Sequence, residues 1–302
     1  MRPTIAIMSP GDMGHAVGAT LRERGLRVIS ALEGRSARTR ALAAAAGIEA
    51  VADAAALVRE ADLLLAIVVP AEAQALAERI ARAVRAAGAT PLYVDCNAIA
   101  PQTARHIAEI VAGAGARFVD AGIIGPPPKP GASRTRFYAS GREAAAFARL
   151  RDFGLDVRLV GDQPGQASAL KICYAALTKG TTALMTELAI AAERLGVSEA
   201  LRAEFRASQP AMLERMQRAV PEMVPKAHRW VGEMEEIART FEACGLTPRT
   251  FEGAAELYAL VAGTALGRTS QEDWRRQARR FDDVIAELAR GFLAAGDERT
   301  RQ

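Results

Sequence analysis

The sequence is short of lysine: only four of its 39 basic residues are lysine (Lys129, Lys171, Lys179 and Lys226), the rest arginine. Where arginine is the default cation, a lysine at a special position points to a need for its compact, titratable amine. Scattered arginine in such a chain is no mark of nucleic acid. The net charge is only +4, and there is no run of like charges or basic stripe interleaved with aromatics. Cysteine is scarce as well. Cys96, Cys173 and Cys244 lie far apart, which excludes a disulfide framework and suggests the reducing cytoplasm. His15 and His106 have no partner at ligand spacing, so no metal is expected. The longest apolar run, residues 63–71, is far too short to span a bilayer, and Met1 to Met8 lacks the apolar core of a signal peptide. No Gly-x-Ser-x-Gly elbow is present, so a hydrolase triad has no support.

Half of the 302 residues are apolar and a quarter charged, the balance of a globular chain long enough for two cores. Short apolar runs at 4–8, 27–32, 63–69, 91–95 and 117–120 alternate with Ala-rich helical stretches at 36–46, 54–60, 71–86 and 101–112. Continuous apolar strands separated by helices predict a parallel sheet covered on both faces, a Rossmann-type doubly wound α/β fold. Two more strands are expected at 136–139 and 157–160. A long helix then runs over 166–195, and only helical segments follow, punctuated by Pro210, Pro221, Pro225, Gly245 and Pro248. The expected domains are therefore 1–162, a dinucleotide-binding unit, and 163–302, an all-α unit for substrate and dimerisation.

The first strand ends in Met8-Ser9-Pro10-Gly11-Asp12-Met13-Gly14. Strand, tight turn and helix are the context in which such glycines hold a pyrophosphate. Gly11 admits close backbone approach, Gly14 close packing of helix on strand, and the helix N-terminus offers free N–H groups. Ser9 stands where the first glycine of the motif usually lies. Beyond the second strand, Glu33 favours a free ribose hydroxyl, whereas Arg35, Ser36 and Arg38 favour a 2′-phosphate. Because Glu33-Gly34 reads as a turn, NADP is preferred over NAD. Val69, Pro70 and Asn97, at the ends of two later strands, join the cofactor set, although Asn97 also suits the start of the helix at Pro101.

These residues, with three further segments, resemble the β-hydroxyacid dehydrogenase and 6-phosphogluconate dehydrogenase-like superfamily, in a member with an uncharacterised helical C-terminal domain. Gly11-Asp12-Met13-Gly14 is similar to the family's turn, and Asp95-Cys96-Asn97 with Pro101 to its loop beside the nicotinamide. Asp120-Ala121-Gly122-Ile123-Ile124-Gly125 resembles its substrate segment, and Gly161 and Gly165 followed by Lys171 its lysine segment. The resemblance implies hydride transfer with a small hydroxy acid, substrate contacts at Gly122 to Gly125, and a homodimer. Ile124 and Tyr174 stand where the family has Ser and Asn, so the substrate pocket departs from the usual type.

The 166–195 helix makes a separate case. Lys171, Tyr174, Thr178 and Thr182 share one face of a mostly apolar helix. Lys171 there reads as a general acid/base, or as a lysine snorkelling past apolar neighbours. Tyr174 can hydrogen-bond the reacting oxygen or be a satisfied core residue, and Thr178 joins the substrate set. Gly122–Gly125 can line a pocket or form a turn. His228 and Arg229, in Lys226-Ala227-His228-Arg229-Trp230, and Lys129 in a proline-rich loop are further candidates for anionic substrate. Two other readings stay open: an imine reductase, and a sensor that binds NADPH without turnover.

Overall fold

The computed structural model describes residues 2–129 and 134–300, with side chains to Phe292. The chain divides into two compact units, Met1–Cys173 and Tyr174–Gln302.

The first unit is an eight-stranded sheet. Its elements run β1 (Thr4–Ile7), α1 (Asp12–Glu23), β2 (Arg27–Ala31), α2 (Ala37–Ala45), β3 (Glu49–Val51), α3 (Ala54–Glu60), β4 (Leu63–Ala66), α4 (Ala73–Ala87), β5 (Leu92–Asp95), α5 (Pro101–Ala112), β6 (Arg117–Ile124), β7 (Arg136–Ser140), α6 (Ala144–Ala148) and β8 (Asp156–Gly161). The strand order is β3-β2-β1-β4-β5-β6-β7-β8, which reverses direction between β1 and β4. In open α/β sheets that reversal opens the crevice where ligands bind, beyond the strands' C-terminal ends. Alternate residues feed two cores. Ile5, Ile7, Val28, Leu65, Val94 and Val119 face one side, while Ala6, Ile29, Leu64, Tyr93 and Phe118 face the other. Both faces are covered, so the strands read as unbroken apolar runs rather than alternating ones.

The expected sheet is parallel throughout; in the structure β7 runs antiparallel to β6. The physical reason is the connection, since a parallel return needs a crossover helix and none is found among the described residues between Ile124 and Arg136. The short β3 was also unexpected, because Glu49 and Ala50 are exposed and leave no apolar signature. Glu33 and Gly34 do lie in a turn beyond β2, with Gly34 at φ +68°.

Helix α7 (Gln166–Arg194) begins in the first unit and continues into the second, unbroken at Gly180. The second unit is otherwise α8 (Ser198–Ser208), α9 (Pro210–Met223), α10 (Ala227–Ala243), α11 (Arg249–Gly263), α12 (Gln271–Gln277) and α13 (Phe281–Thr300). Pro221 does not end α9 as expected but lies buried within it, its packing outweighing a lost helical hydrogen bond. Met234, Ile237 and Ala238 of α10 and Phe251, Ala254, Tyr258 and Val261 of α11 are buried. Edge-to-face pairs, Phe241 with Phe251 and Trp230 with Tyr258, join these two helices. Among the described residues no helix is long and apolar enough to cross a membrane.

Candidate active site

The site is built at the C-terminal rim of the first unit's sheet. Gly11 is the N-cap of α1, and no side chain caps that helix, so the N–H groups of its first turn are not taken up by a capping side chain. A Cβ on Gly11 would meet nothing within 4 Å, whereas one on Gly14 would lie 2.3 Å from the Ser9 carbonyl and 3.1 Å from Ile7 Cγ2. Gly14 is thus required for α1 to sit on β1, and Gly11 leaves open space at a helix start, the arrangement that suits a pyrophosphate. Met13 is half-buried against the sheet core, and the His15 ring bonds the Gly11 carbonyl at 2.7 Å.

The residues beyond β2 have unequal freedom. Ser36 caps α2 by accepting from the Thr39 N–H. Arg38 pairs with Asp12 at 2.5 Å, both exposed. Arg35 is half-buried and donates to the Met8 carbonyl at 3.2 Å. Burial and the nearby Arg79 press its pKa below the usual arginine range. Two cations near one another, with Glu72 the acidic neighbour, suit an added anion. Arg79 carried no signal in the sequence, since nothing local relates α4 to the end of β2.

Across the reversal point, Val69 is 58% exposed and precedes Pro70, the first residue of a short 3₁₀ turn. Asn97 follows β5 and is buried. Its Oδ1 accepts from the Val68 N–H at 2.7 Å, while its Nδ2 has no partner. A buried amide donor without a partner costs about 1–3 kcal/mol, and a carboxamide or carboxylate oxygen brought to it would remove that cost. The open glycine turn and the orphaned amide on the same rim fit a nicotinamide dinucleotide.

Lys171 stands on the second turn of α7. A Cβ on Gly122 would lie 3.0 Å from Lys171 Cβ and 3.4 Å from its Cδ, so the lysine stem runs over the glycine at the C-terminal end of β6. Gly122, Ile123 and Ile124 belong to that strand and are buried. Gly125, at φ +122°, leaves it, so the turn begins only there. The helix start is held by two groups that sequence reasoning had not assigned. Asp120 is fully buried, and its Oδ2 accepts from the Gly165 N–H (2.9 Å), the Ser168 N–H (3.0 Å) and the Ser140 hydroxyl (3.1 Å). Its Oδ1 accepts from the Ser168 hydroxyl at 2.6 Å, and Ser140 Oγ in turn accepts from the Ala167 N–H. A carboxylate at a helix N-terminus satisfies donors and complements the dipole. The available signal was a carboxylate closing the short apolar run at 117–120.

Asp95 pairs with Asp120 across β5 and β6 and is 1% exposed. Its Oδ1 accepts from the Asn97 N–H at 2.9 Å, but Oδ2 has no partner. Burial first, with the charge of Asp120 adding, raises its pKa to about 7, against the pull of Asn97 and Lys171.

Of the remaining candidates, all but Lys129 lie in the second unit. Tyr174 is 47% exposed rather than a core residue, and Thr178 donates to its carbonyl at 3.0 Å. His228 and Arg229 are exposed on the first turn of α10. In the same unit Lys179 bonds Glu233 and stands 5.1 Å from the centre of the Trp230 ring. Lys129 is exposed, and the part of its loop at 130–131 lies outside the described residues.

The strand order and the glycine turn define a dinucleotide-binding protein of the Rossmann class. Comparison with known families gives the particular group. Residues 4–153 match the NAD binding domain of 6-phosphogluconate dehydrogenase, and residues 192–261 match a domain of unknown function, DUF1932. The chain belongs to the 6-phosphogluconate dehydrogenase-like NAD-binding superfamily, in the group that carries this second domain. A conserved hypothetical protein of Sinorhizobium meliloti 1021 is 28% identical, with a TM-score of 0.72 over 96% of this chain and 97% of its own. The 3-hydroxyisobutyrate dehydrogenase of Mycobacterium tuberculosis shares the fold at TM-score 0.72 and 21% identity, over 95% and 99% of the two chains. In sequence, the 3-hydroxyisobutyrate dehydrogenase of Pseudomonas aeruginosa is 37% identical over 87 residues, 28% of each chain.

Proposed function

We propose that the chain is a nicotinamide-dependent oxidoreductase acting on a small hydroxy acid, or on its keto or aldehyde form, with Lys171 as general acid and base. The observation that carries this reading is Lys171 laid over Gly122 at the end of β6, on the same sheet rim as the open glycine turn and the orphaned Asn97 amide. When bound, the nicotinamide supplies or accepts the hydride. The turn at Gly11 and the start of α1 hold the pyrophosphate, and Asn97 Nδ2 donates to an oxygen of the carboxamide or the substrate. Lys171 Nζ gives a proton to the reacting oxygen in reduction and takes it in oxidation. The backbone of Gly122 to Gly125 and the side chains of Ile123 and Ile124 bound the space beside it. Arg35, with Arg79 near it, favours NADP over NAD. Ser36 and Arg38 are already engaged within the chain and contribute less.

A homodimer through the second unit is part of this reading. Tyr174, Leu177, Leu184 and Leu195 are 47%, 65%, 61% and 75% exposed, and at 100° per residue they fall on one stripe that runs along α7, with Leu195 just past its end. Sedimentation of wild type beside Leu184→Glu tests it: a dimer converted to monomer supports the reading, and a wild-type monomer contradicts it. The activity is tested by following absorbance at 340 nm with hydroxy acids, sugar acids, aldehydes and cyclic imines, each with NADPH or NADP and with NADH or NAD. Turnover of a hydroxy acid or its carbonyl form supports the proposal. Turnover confined to imines, or tight NADPH binding with none, replaces it with the reductase or sensor reading.

A further inference from the structure

We propose that Asp95 is a positioning residue for Lys171: the two ionise as one unit, and the buried carboxyl sets the charge of the lysine. This rests on the role given to Lys171 above.

Two carboxyl groups stand abreast on β5 and β6, at the paired positions Asp95 and Asp120, and both are buried. Two adjacent buried carboxylates cannot both ionise cheaply. Four donors converge on Asp120, two of them backbone N–H groups. Asp95 receives one backbone donor and leaves Oδ2 without any, so it is the member that takes the proton. Asp95 also holds no helix or loop on its side chain beyond its own exit turn. A buried polar atom left in that state calls for an explanation, and the electrostatic neighbourhood gives one. The groups acting on it are Asp120 from β6, Lys171 from α7, and Asn97, Tyr93 and Cys96 along its own strand and exit. Arg79 of α4 acts on Tyr93. The stem of Lys171 lies over Gly122, two residues beyond Asp120 on the same face of β6, which brings a cation to this pair.

The protons balance simply. When Lys171 gives its proton to an alkoxide, one Nζ–H bond breaks and an O–H bond forms on the substrate. The Asp95 Oδ2–H bond then breaks, its proton passing through one water, and Nζ–H re-forms. The Asp95 carboxylate regains a proton from solvent. Oxidation runs the same steps in reverse, with no change of redox state at either residue.

The test needs no substrate, so its failure is separable from failure of the proposed activity. In the full chain labelled with aspartate 13C at the carboxyl, Asp95 is assigned as the signal lost in Asp95→Asn and titrated in wild type and in Lys171→Met. Loss of the ammonium is expected to raise the Asp95 midpoint by about one pH unit, a tenfold change in its proton affinity. Coupling is reciprocal, so acetic anhydride should label Lys171 of Asp95→Asn about tenfold faster than wild type near pH 8, with exposed Lys129 as the internal standard. Should Asp95→Asn fail to fold, Asp95→Ser takes its place in both measurements. A midpoint for Asp95 that Lys171→Met leaves unmoved, or equal labelling of Lys171 in the two proteins, overturns the proposal. With a turned-over substrate in hand, a kcat/KM profile of Asp95→Asn that superimposes on wild type overturns it as well.

Discussion

Replacing Asp120 with asparagine tests whether the start of α7 is held as described. The wild-type carboxylate accepts from the Gly165 and Ser168 N–H groups, the Ser140 hydroxyl and the Ser168 hydroxyl, all within 3.1 Å. An asparagine oxygen in the Oδ2 position keeps three of these bonds without the charge, and its amide faces Ser168 Oγ, which must turn from donor to acceptor. A bond to a charged group is worth roughly 1 kcal/mol more than a neutral one, so three or four such bonds lose about 3–4 kcal/mol. Relief from burying a charge returns part of this, leaving a net loss of about 2–3 kcal/mol. For a chain of this size that corresponds to a fall in Tm of roughly 4–12 °C. Asp120→Ala leaves the two backbone donors buried and unpaired, and should cost about 4 kcal/mol. The assay is urea unfolding followed by circular dichroism, with m-values compared to confirm that the same transition is observed. Asp120→Asn within about 0.5 kcal/mol of wild type, the range of an ordinary surface change, would refute the anchoring argument.

Other outcomes follow from single sites. Arg35→Ala should weaken NADPH binding by about 10- to 100-fold, from a lost charge-assisted contact, and leave NADH binding within a few-fold, measured by cofactor fluorescence; equal losses for both cofactors would argue against the phosphate role. Asp95 has a folded pKa of about 7 against 3.8 in the unfolded chain, so the folded state holds its proton more tightly. Its contribution is fully present below pH 3.8 and is lost as pH rises through 7, up to about 4 kcal/mol over that window; urea unfolding at a series of pH values should show this slope in wild type and not in Asp95→Asn. In the second unit, Glu233→Gln should destabilise more than Lys179→Met. The first strands a largely buried ammonium whose pKa burial already lowers, at roughly 2–4 kcal/mol, while methionine keeps the stem against Trp230. Thermal unfolding of the two variants reads the order.

Much of the fold was legible because both faces of the sheet are covered. Runs such as Leu63 to Ala66 are apolar without interruption, and the helices between them carry one apolar face, so periodicity alone marks the elements. What was not legible depends on contacts far apart in sequence. β3 is short and exposed, and β7 runs antiparallel because of how its connection closes, which no local pattern records. The same division holds at the site. Gly11, Gly14, Asn97 and Lys171 carry motifs whose spacing is local. Asp120 acts 45 and 48 residues away on Gly165 and Ser168, and the pairing of Asp95 with Asp120 exists only through the register of β5 and β6. Ser36 and Arg38 show the converse: their types suit a phosphate, but the fold uses them for a helix cap and an ion pair.

The role of Lys171 is tested most directly by Lys171→Met, assayed at 340 nm on whichever substrate wild type turns over, beside cofactor binding by fluorescence. Loss of proton transfer predicts a fall in kcat of about 10²- to 10⁴-fold, with cofactor affinity and Tm close to wild type. A kcat within threefold of wild type would contradict the assignment of Lys171 as the general acid and base.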